Sequence, residues 1–346
     1  MTTRIGINGF GRIGRTVLRV ALQRRNLEVV AINDLYENAQ LAYSFQYDTV
    51  MGIFDGEVRS TRDALTVDGR RIAMTKEKSP GNIPWRSLGV DVVIESTGVF
   101  RTRDSLESHL AAGAPRVVLT VPAKGEIDAM IVMGVNDETL RPEHRLVSNA
   151  SCTTNCLAPI AKILDEAFEI REGFMTTVHA YTNDQRLADV PHKDLRRSRA
   201  AAANIIPTTT GAARAVGLVL PRLSGRLDGM AMRVPVPDGS VVDLTCRLGR
   251  RVSAADVNAA VRAAAAGPLG RYVEYSEVPL VSSDIVGNPH SAVFDALSTC
   301  ASGDEYVKVI AWYDNEWGYS QRVVDLIERL AALGSESRAP GPGSSR

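Results

Sequence analysis

Apolar residues in the first 150 positions gather in short runs rich in Val and Ile, at residues 5–7, 29–33, 92–96, 117–121 and 131–135. Runs this short predict strands buried on both faces. Between them, residues 12–25 and 104–112 space their apolar side chains along one helical face. Strands alternating with helices predict a parallel sheet, because parallel neighbours need a crossover that a hairpin cannot supply.

The texture changes after residue 152. Longer strand candidates occupy 174–182, 229–237, 241–248 and 307–313, with fewer helices between them and Pro/Gly turns close by. That pattern predicts a second, mostly antiparallel sheet, and with it an α/β first domain followed by an α+β domain. A helix is expected over 253–266, with Ser253 as N-cap and Gly267 and Pro268 as its stop. A terminal helix is expected over 320–333. Residues 334–346 are Gly, Ser, Pro and Arg without periodicity, which predicts a disordered tail. There is no internal repeat.

A chain of 346 residues is long enough for two domains and needs no disulfide or metal staple. Its 40 basic and 40 acidic residues cancel, which argues against dedicated binding to nucleic acid or an anionic membrane surface. No apolar run approaches the ~18 residues of a membrane span, and no charged-then-apolar leader precedes residue 4. A cytoplasmic protein is the expectation. The four cysteines, Cys152, Cys156, Cys246 and Cys300, form neither a disulfide framework nor a zinc-ligand pattern, so no metal is expected.

Two segments carry chemistry. Gly9, Gly11 and Gly14 form G-x-G-x-x-G between a predicted strand and a predicted helix. Such glycines permit a tight turn and close approach of a pyrophosphate to the helix N-terminal amides. The second strand ends at Asp34, twenty residues after Gly14. A carboxylate there accepts hydrogen bonds from ribose hydroxyls and repels a 2′-phosphate, favouring NAD; a turn or cap residue is the alternative.

The other segment is SNASCTTNCL at 148–157. Ser151 or Asn149 caps a helix beginning at Cys152, placing the thiol over amides that lower its pKa. Cys156 lies one turn deeper and is expected to pack, with a redox pair as the other reading. A thiolate catalyst needs a base. Spacing alone does not rank the five histidines, although His179 stands at the end of a predicted strand.

With these residues in place, the chain resembles the phosphorylating glyceraldehyde-3-phosphate dehydrogenases. INGFGRIGR at 7–15, SNASCTTNCLAP at 148–159 and TTVHAYTNDQ at 176–185 carry the resemblance. So do PHKDLRR at 191–197, IPTTTGAA at 206–213, MRVPVP at 232–237 and WYDNEWGYS at 312–320. The segments follow family order from residue 3 to about 332.

The resemblance implies an NAD-binding domain over 1–151, completed by a helix at about 316–333, and a catalytic and oligomerisation domain over 152–315. It implies Cys152 as nucleophile and His179 as base, acting on glyceraldehyde 3-phosphate and inorganic phosphate. Thr182 and Arg233 match the site for the substrate C3 phosphate. Ser151, Thr153, Thr210 and Gly211 match the site for the attacking phosphate, with Arg197 near both. For NAD it implies Asn8, Gly9, Gly11, Arg12, Ile13, Gly14 and Asp34. Lys78, Ser96, Thr97, Gly98 and Thr120 follow, then Asn183, Asn315 and Tyr319. Asp34 and the pair Val190 and Pro191 resemble NAD users more than NADP users. The family implies a homotetramer. Alternatives on the same scaffold are an inhibitor-resistant or biosynthetic-direction isoenzyme, an erythrose-4-phosphate dehydrogenase, or a non-catalytic RNA-associated paralogue.

Overall fold

A computed structural model describes residues 2–303 and 305–336. The first half is built on β1 (Thr3–Asn8), α1 (Arg12–Leu22), β2 (Leu27–Asn33), β3 (Arg70–Thr75), β4 (Val92–Glu95), β5 (Arg116–Leu119) and β6 (Leu146–Ser148). These six strands lie parallel in the order β6-β5-β4-β1-β2-β3. Ala129–Met130 pairs outside β6, and the antiparallel strands Ala64–Val67 and Val58–Ser60 extend the other edge. Strand order reverses between β1 and β4, so the loops leaving these two strands flank a crevice at the sheet's switch point.

The expected strand at 131–135 is not one. Pairing ends at Met130, and the next residues form a buried turn. Asn136 organises it: the Val132 amide donates to Asn136 Oδ1 at 2.8 Å, and Asn136 Nδ2 donates to the Met130 carbonyl at 3.0 Å. The apolar run that resembled a strand is the lining of a core filled from a turn. Helix Asn38–Gln46 and the strands from Tyr47 to Val67 arise in a polar stretch without clear periodicity, and the sequence pattern did not announce them.

The second sheet follows α2 (Cys152–Phe168). It comprises β7 (Ile170–Ala180), β8 (Ile206–Thr209), β9 (Leu227–Val234), β10 (Ser240–Leu248), β11 (Ala292–Ser302) and β12 (Tyr306–Tyr313). Its order is β8-β9-β7-β10-β12-β11, with Val273–Ser276 beside β11. Pairing is antiparallel except between β7 and β9 and at that outer strand. The helix Ala254–Ala265 carries the expected Ser253 cap, with Asp256 bonding back to the Ser253 amide.

The terminal helix, α3 (Trp317–Glu336), begins earlier than expected because Asp314 Oδ1 accepts from the Glu316 and Trp317 amides. It continues past residue 333; the remainder of the expected tail lies outside the described residues. Val323, Val324, Ile327 and Leu330 of α3 are buried with Val17, Leu18 and Val20 of α1 in the core of the first sheet. A second core fills between α2 and the second sheet. The Cys152 side chain touches both.

Replacing Asn136 by Ala strips partners from a buried amide and a partly buried carbonyl. It should cost about 2–4 kcal/mol, read as a lower urea midpoint, and a change below experimental error would remove Asn136 from this role.

Candidate active site

Chain geometry around the thiol is tight. β6 ends at Ser148, whose Oγ accepts from the Ala150 amide at 3.0 Å, and Ala150 adopts φ +55°, the left-handed region that a residue with a Cβ seldom occupies. The chain then enters α2. Ser151, rather than Asn149, is the cap: its Oγ accepts from the Thr154 amide at 3.0 Å and shares a 2.7 Å hydrogen bond with the Thr154 hydroxyl. Cys152, the first helical residue, is half-buried, and its Sγ lies 3.4 Å from His179 Nε2. His179 comes from the last turn of the pleat in β7. The Tyr313 hydroxyl on β12 bonds both Thr153, next to the nucleophile, and Thr177, two residues before the histidine, each at 2.8 Å. Cys156 is fully buried against the Ala311 carbonyl, as the packing reading expects.

Arg233 stands opposite His179 in the β7–β9 register. Its Nη1 lies 2.7 Å from His179 Nδ1 and donates to the Ala180 carbonyl at 2.8 Å. Burial and then the charge of Arg233 push His179 down to about 3. Burial also pushes the Cys152 thiol above its ordinary value, outweighing Arg233 and the local hydrogen bonds. This corrects the sequence expectation of a lowered pKa: desolvation prevails over the helix amides.

The expected anion-binding residues surround this pair. Thr182 follows β7, with its amide bonded to Gln185 Oε1 at 3.2 Å. Arg197 is no solvated basic residue: its Nε donates to the Thr208 hydroxyl at 2.9 Å and its Nη1 pairs with Asp184. It is near enough for its charge to depress His179 and Arg233. Thr210 Oγ1 accepts from the Ala212 amide at 3.2 Å, and Gly211 begins the helix Ala212–Val219 with no side-chain cap. That helix start reaches α2 through a 3.4 Å bond from the Thr154 hydroxyl to the Ala212 carbonyl.

On the other side of the crevice, Gly9 has φ +92°, and a Cβ there would lie 2.7 Å from the Thr97 amide; one on Gly14 would meet the Gly9 carbonyl at 2.2 Å. Gly11 opens α1 with no side-chain cap and nothing within 4 Å of a Cβ position. The exposed first-turn amides of α1, with Ile13 among them, therefore suit an anion. Asp34 accepts from the Phe10 amide at 2.7 Å and from the Tyr36 amide at 3.1 Å. It borders a cavity of about 380 Å³ with Phe10, Gly11, Arg12, Tyr36 and Asn183. Arg12 donates to Asp48 at 2.6 Å and to Glu316 at 2.8 Å. Ser96 Oγ donates to the Gly9 carbonyl at 2.7 Å, Gly98 has φ +72°, and Thr120 is buried against the Glu95 carbonyl. Asn315 Oδ1 accepts from the Ser240 hydroxyl at 2.5 Å, and Tyr319 donates to the Ala150 carbonyl at 3.1 Å. Lys78 is exposed in the loop after β3.

Sequence reasoning missed Glu95, the buried hub of this half. Its carboxylate accepts from Asn8 Nδ2 at 2.6 Å, from the Thr97 amide at 2.9 Å and from His109 Nε2 at 3.0 Å. The Trp85 indole donates to His109 Nδ1, which fixes the proton on Nε2. The available signal was a single acid closing the apolar strand Val92–Glu95. Tyr313 was missed as well, since nothing in the spacing marks its hydroxyl as a bridge.

A dinucleotide crevice, a capped nucleophilic cysteine facing a histidine, and an arginine behind the histidine define a cysteine-dependent oxidoreductase of the nicotinamide-dinucleotide class. Residues 3–103 match the family model for the NAD binding domain of glyceraldehyde 3-phosphate dehydrogenase, and residues 151–315 match its C-terminal domain. The chain belongs to the glyceraldehyde-3-phosphate dehydrogenase family. It is 55% identical over 328 residues to glyceraldehyde-3-phosphate dehydrogenase 2 of Streptomyces avermitilis, covering 94% of this chain and 98% of that one. It is 55% identical over 335 residues to the Geobacillus stearothermophilus enzyme, covering 96% and 100%, and 53% identical to glyceraldehyde-3-phosphate dehydrogenase 2 of Bacillus subtilis, covering 96% and 98%.

Two carboxyls near site residues in the chain, Asp238 and Asp314, are each 1% exposed. Asp314 accepts three amides, from Gly287, Glu316 and Trp317, which favour its ionised form, while burial pushes it up. Burial, then the charges of Asp314 and Glu316, push Asp238 up to about 9. Unfolded, the same carboxyl ionises near ~4. Between these values the native state binds the extra proton, so stability should fall as pH rises through that window. Asp238→Asn should flatten the decline in urea stability between about pH 6 and about pH 8; an unchanged slope would mean the proton is not there.

Proposed function

We propose that this chain catalyses the phosphorylating oxidation of D-glyceraldehyde 3-phosphate, with NAD and inorganic phosphate, to 1,3-bisphosphoglycerate and NADH. The observation that carries the proposal is the 3.4 Å contact between Cys152 Sγ and His179 Nε2, placed between a dinucleotide crevice and a set of anion-binding groups. The glycine turn, the uncapped start of α1 and Asp34 fit a dinucleotide without a 2′-phosphate. When bound there, NAD supplies the hydride acceptor. Asn8, Gly9, Gly11, Arg12, Ile13 and Gly14 would hold it, with Asp34, Lys78, Ser96, Thr97, Gly98, Thr120, Asn183, Asn315 and Tyr319 around it.

Cys152 adds to the aldehyde carbon, its proton passing to the new hydroxyl through His179. His179 Nε2 then takes that hydroxyl proton as the carbon loses hydride, leaving a thioester on Cys152. The thioester keeps the energy of oxidation and splits a difficult step in two. Inorganic phosphate, held by Ser151, Thr153, Thr210 and Gly211, attacks the thioester carbon and releases the sulfur. Thr182 and Arg233 hold the C3 phosphate, and Arg197 serves both anions. Guanidinium groups, hydroxyls and free amides are the donors phosphate oxygens require.

The same reading assigns residues 1–151 with the helix at 316–333 to dinucleotide binding, and 152–315 to catalysis and assembly. It makes the protein a cytoplasmic homotetramer. Exposed Phe174 and Met230 on the second sheet and Leu187 and Leu195 in the loop after β7 support burial between subunits, and light scattering tests it. Among the described residues no helix is long and apolar enough to cross a membrane.

NADH absorbance should rise with glyceraldehyde 3-phosphate and NAD, continue only with inorganic phosphate, and be much slower with NADP. A phosphate-independent steady rate would sink the acyl-transfer half of the proposal. Cys152→Ala should abolish activity while NAD still binds. His179→Asn should lower kcat by about 10²–10⁴; a near-normal rate would remove His179 as base.

A further inference from the structure

The backbone is pinned on both sides of Asn315. Asp314 Oδ1 accepts from the Glu316 and Trp317 amides, and Asp314 Oδ2 accepts from the Gly287 amide at 2.7 Å. The Glu316 carboxylate is in turn bound by Arg12 of α1 at 2.8 Å. What remains free is the side-chain amide of Asn315. Its terminal torsion is soft and roughly two-fold, and a half-turn exchanges an acceptor for a donor.

Ser240 removes that freedom. It opens β10 opposite Tyr313 of β12 and is fully buried. Gly239 before it has φ +83°, and a Cβ there would lie 2.1 Å from the Ser282 carbonyl, so the turn leading into Ser240 is closed against its neighbour. Ser240 Oγ accepts from the Ala180 amide at 3.1 Å, and its one proton goes to Asn315 Oδ1 at 2.5 Å. Among the described residues that proton has no second acceptor. Turning the Asn315 amide over would set Nδ2 against the hydroxyl and strand a buried proton. Oδ1 therefore faces Ser240, and Nδ2 is the group left to meet a ligand. The neighbours do not compete for it. Glu316 is taken by Arg12, the Tyr319 hydroxyl by the Ala150 carbonyl, and Asp238 Oδ1 by the Gly239 amide.

We propose that Ser240 is a positioning residue for the dinucleotide: by holding Oδ1 it makes Asn315 present a donor of fixed direction, which selects the oxygen end of the nicotinamide carboxamide. This deepens the function proposed above and rests on its assignment of Asn315 to NAD. A carboxamide carries an acceptor at one end and donors at the other, so a fixed donor admits one of its two orientations. The same hydroxyl holds the amide of Ala180, the residue after His179. The chosen orientation is thereby registered against the strand that carries the base.

The test is titration calorimetry on the full chain freed of dinucleotide, comparing NAD with ADP-ribose, which ends before the nicotinamide. Ser240→Ala should weaken NAD roughly fivefold and leave ADP-ribose unchanged; Ser240→Cys, close in shape and a weak donor, serves if the alanine variant does not fold. In an Asn315→Ala background the same replacement should change neither affinity, because Ser240 acts through Asn315. A dinucleotide with an acetyl group in place of the carboxamide keeps the acceptor and lacks the donor. The native protein should bind it as tightly as NAD, and Ser240→Ala should weaken both alike. An equal loss for NAD and ADP-ribose would make Ser240 a structural residue only and overturn the proposal, as would unchanged NAD binding or an acetyl analogue bound no better than ADP-ribose. A native protein that binds ADP-ribose as tightly as NAD would overturn the placement of Asn315 at the nicotinamide instead.

Discussion

The site depends on where α2 begins. Because Ser151 closes the helix N-terminus and Ala150 turns the chain through a left-handed conformation, the first helical side chain emerges at the seam between the two cores. A shift of one residue would rotate the thiol by about 100° around the helix and away from the histidine. At the same seam β7 presents His179 to the sulfur. Thiol and imidazole converge there as a result of helix capping and sheet order.

The two halves use different physics to hold their loops. Around the crevice, polar contacts dominate. Glu95 gathers Asn8, Thr97 and His109 on one carboxylate, and Arg12 bridges Asp48 to Glu316, so the loops after β1 and β4 and the start of α3 are joined through charge-assisted bonds. Around the thiol, burial dominates. It pushes the thiol up and the imidazole down, in surroundings where a nearby charge acts strongly.

Much of this was legible in the residues. Both sheets, the glycine turn, the capped cysteine helix and the Ser253 cap follow from periodicity and local hydrogen-bonding chemistry, which act over a few neighbouring positions. What escaped the reading depends on contacts between distant positions. The run at 131–135 has strand-like composition, yet beyond the Ile131 amide, which still reaches the Ser148 carbonyl, its groups are taken by Asn136, Asp137 and the turn itself. Arg197 sits in a charged run that reads as solvated, until Thr208 and Asp184 close on it from elsewhere in the fold. The Cys152 pKa moved opposite to expectation because a helix N-terminus is visible in the sequence and desolvation is not. The family resemblance supplied the roles of Arg233 and Asn315, which spacing alone would not have assigned.

The Tyr313 hydroxyl has a mechanical meaning. It ties the first turn of the cysteine helix to the strand that carries the histidine, and β12 lies within the same sheet as that strand. Sulfur and imidazole therefore ride on one body. A change in the width of the crevice would alter the distance from the sulfur to the glycine loop and leave the sulfur–imidazole separation as it is. On such a body, proton transfer would be insulated from the passage of the large ligand.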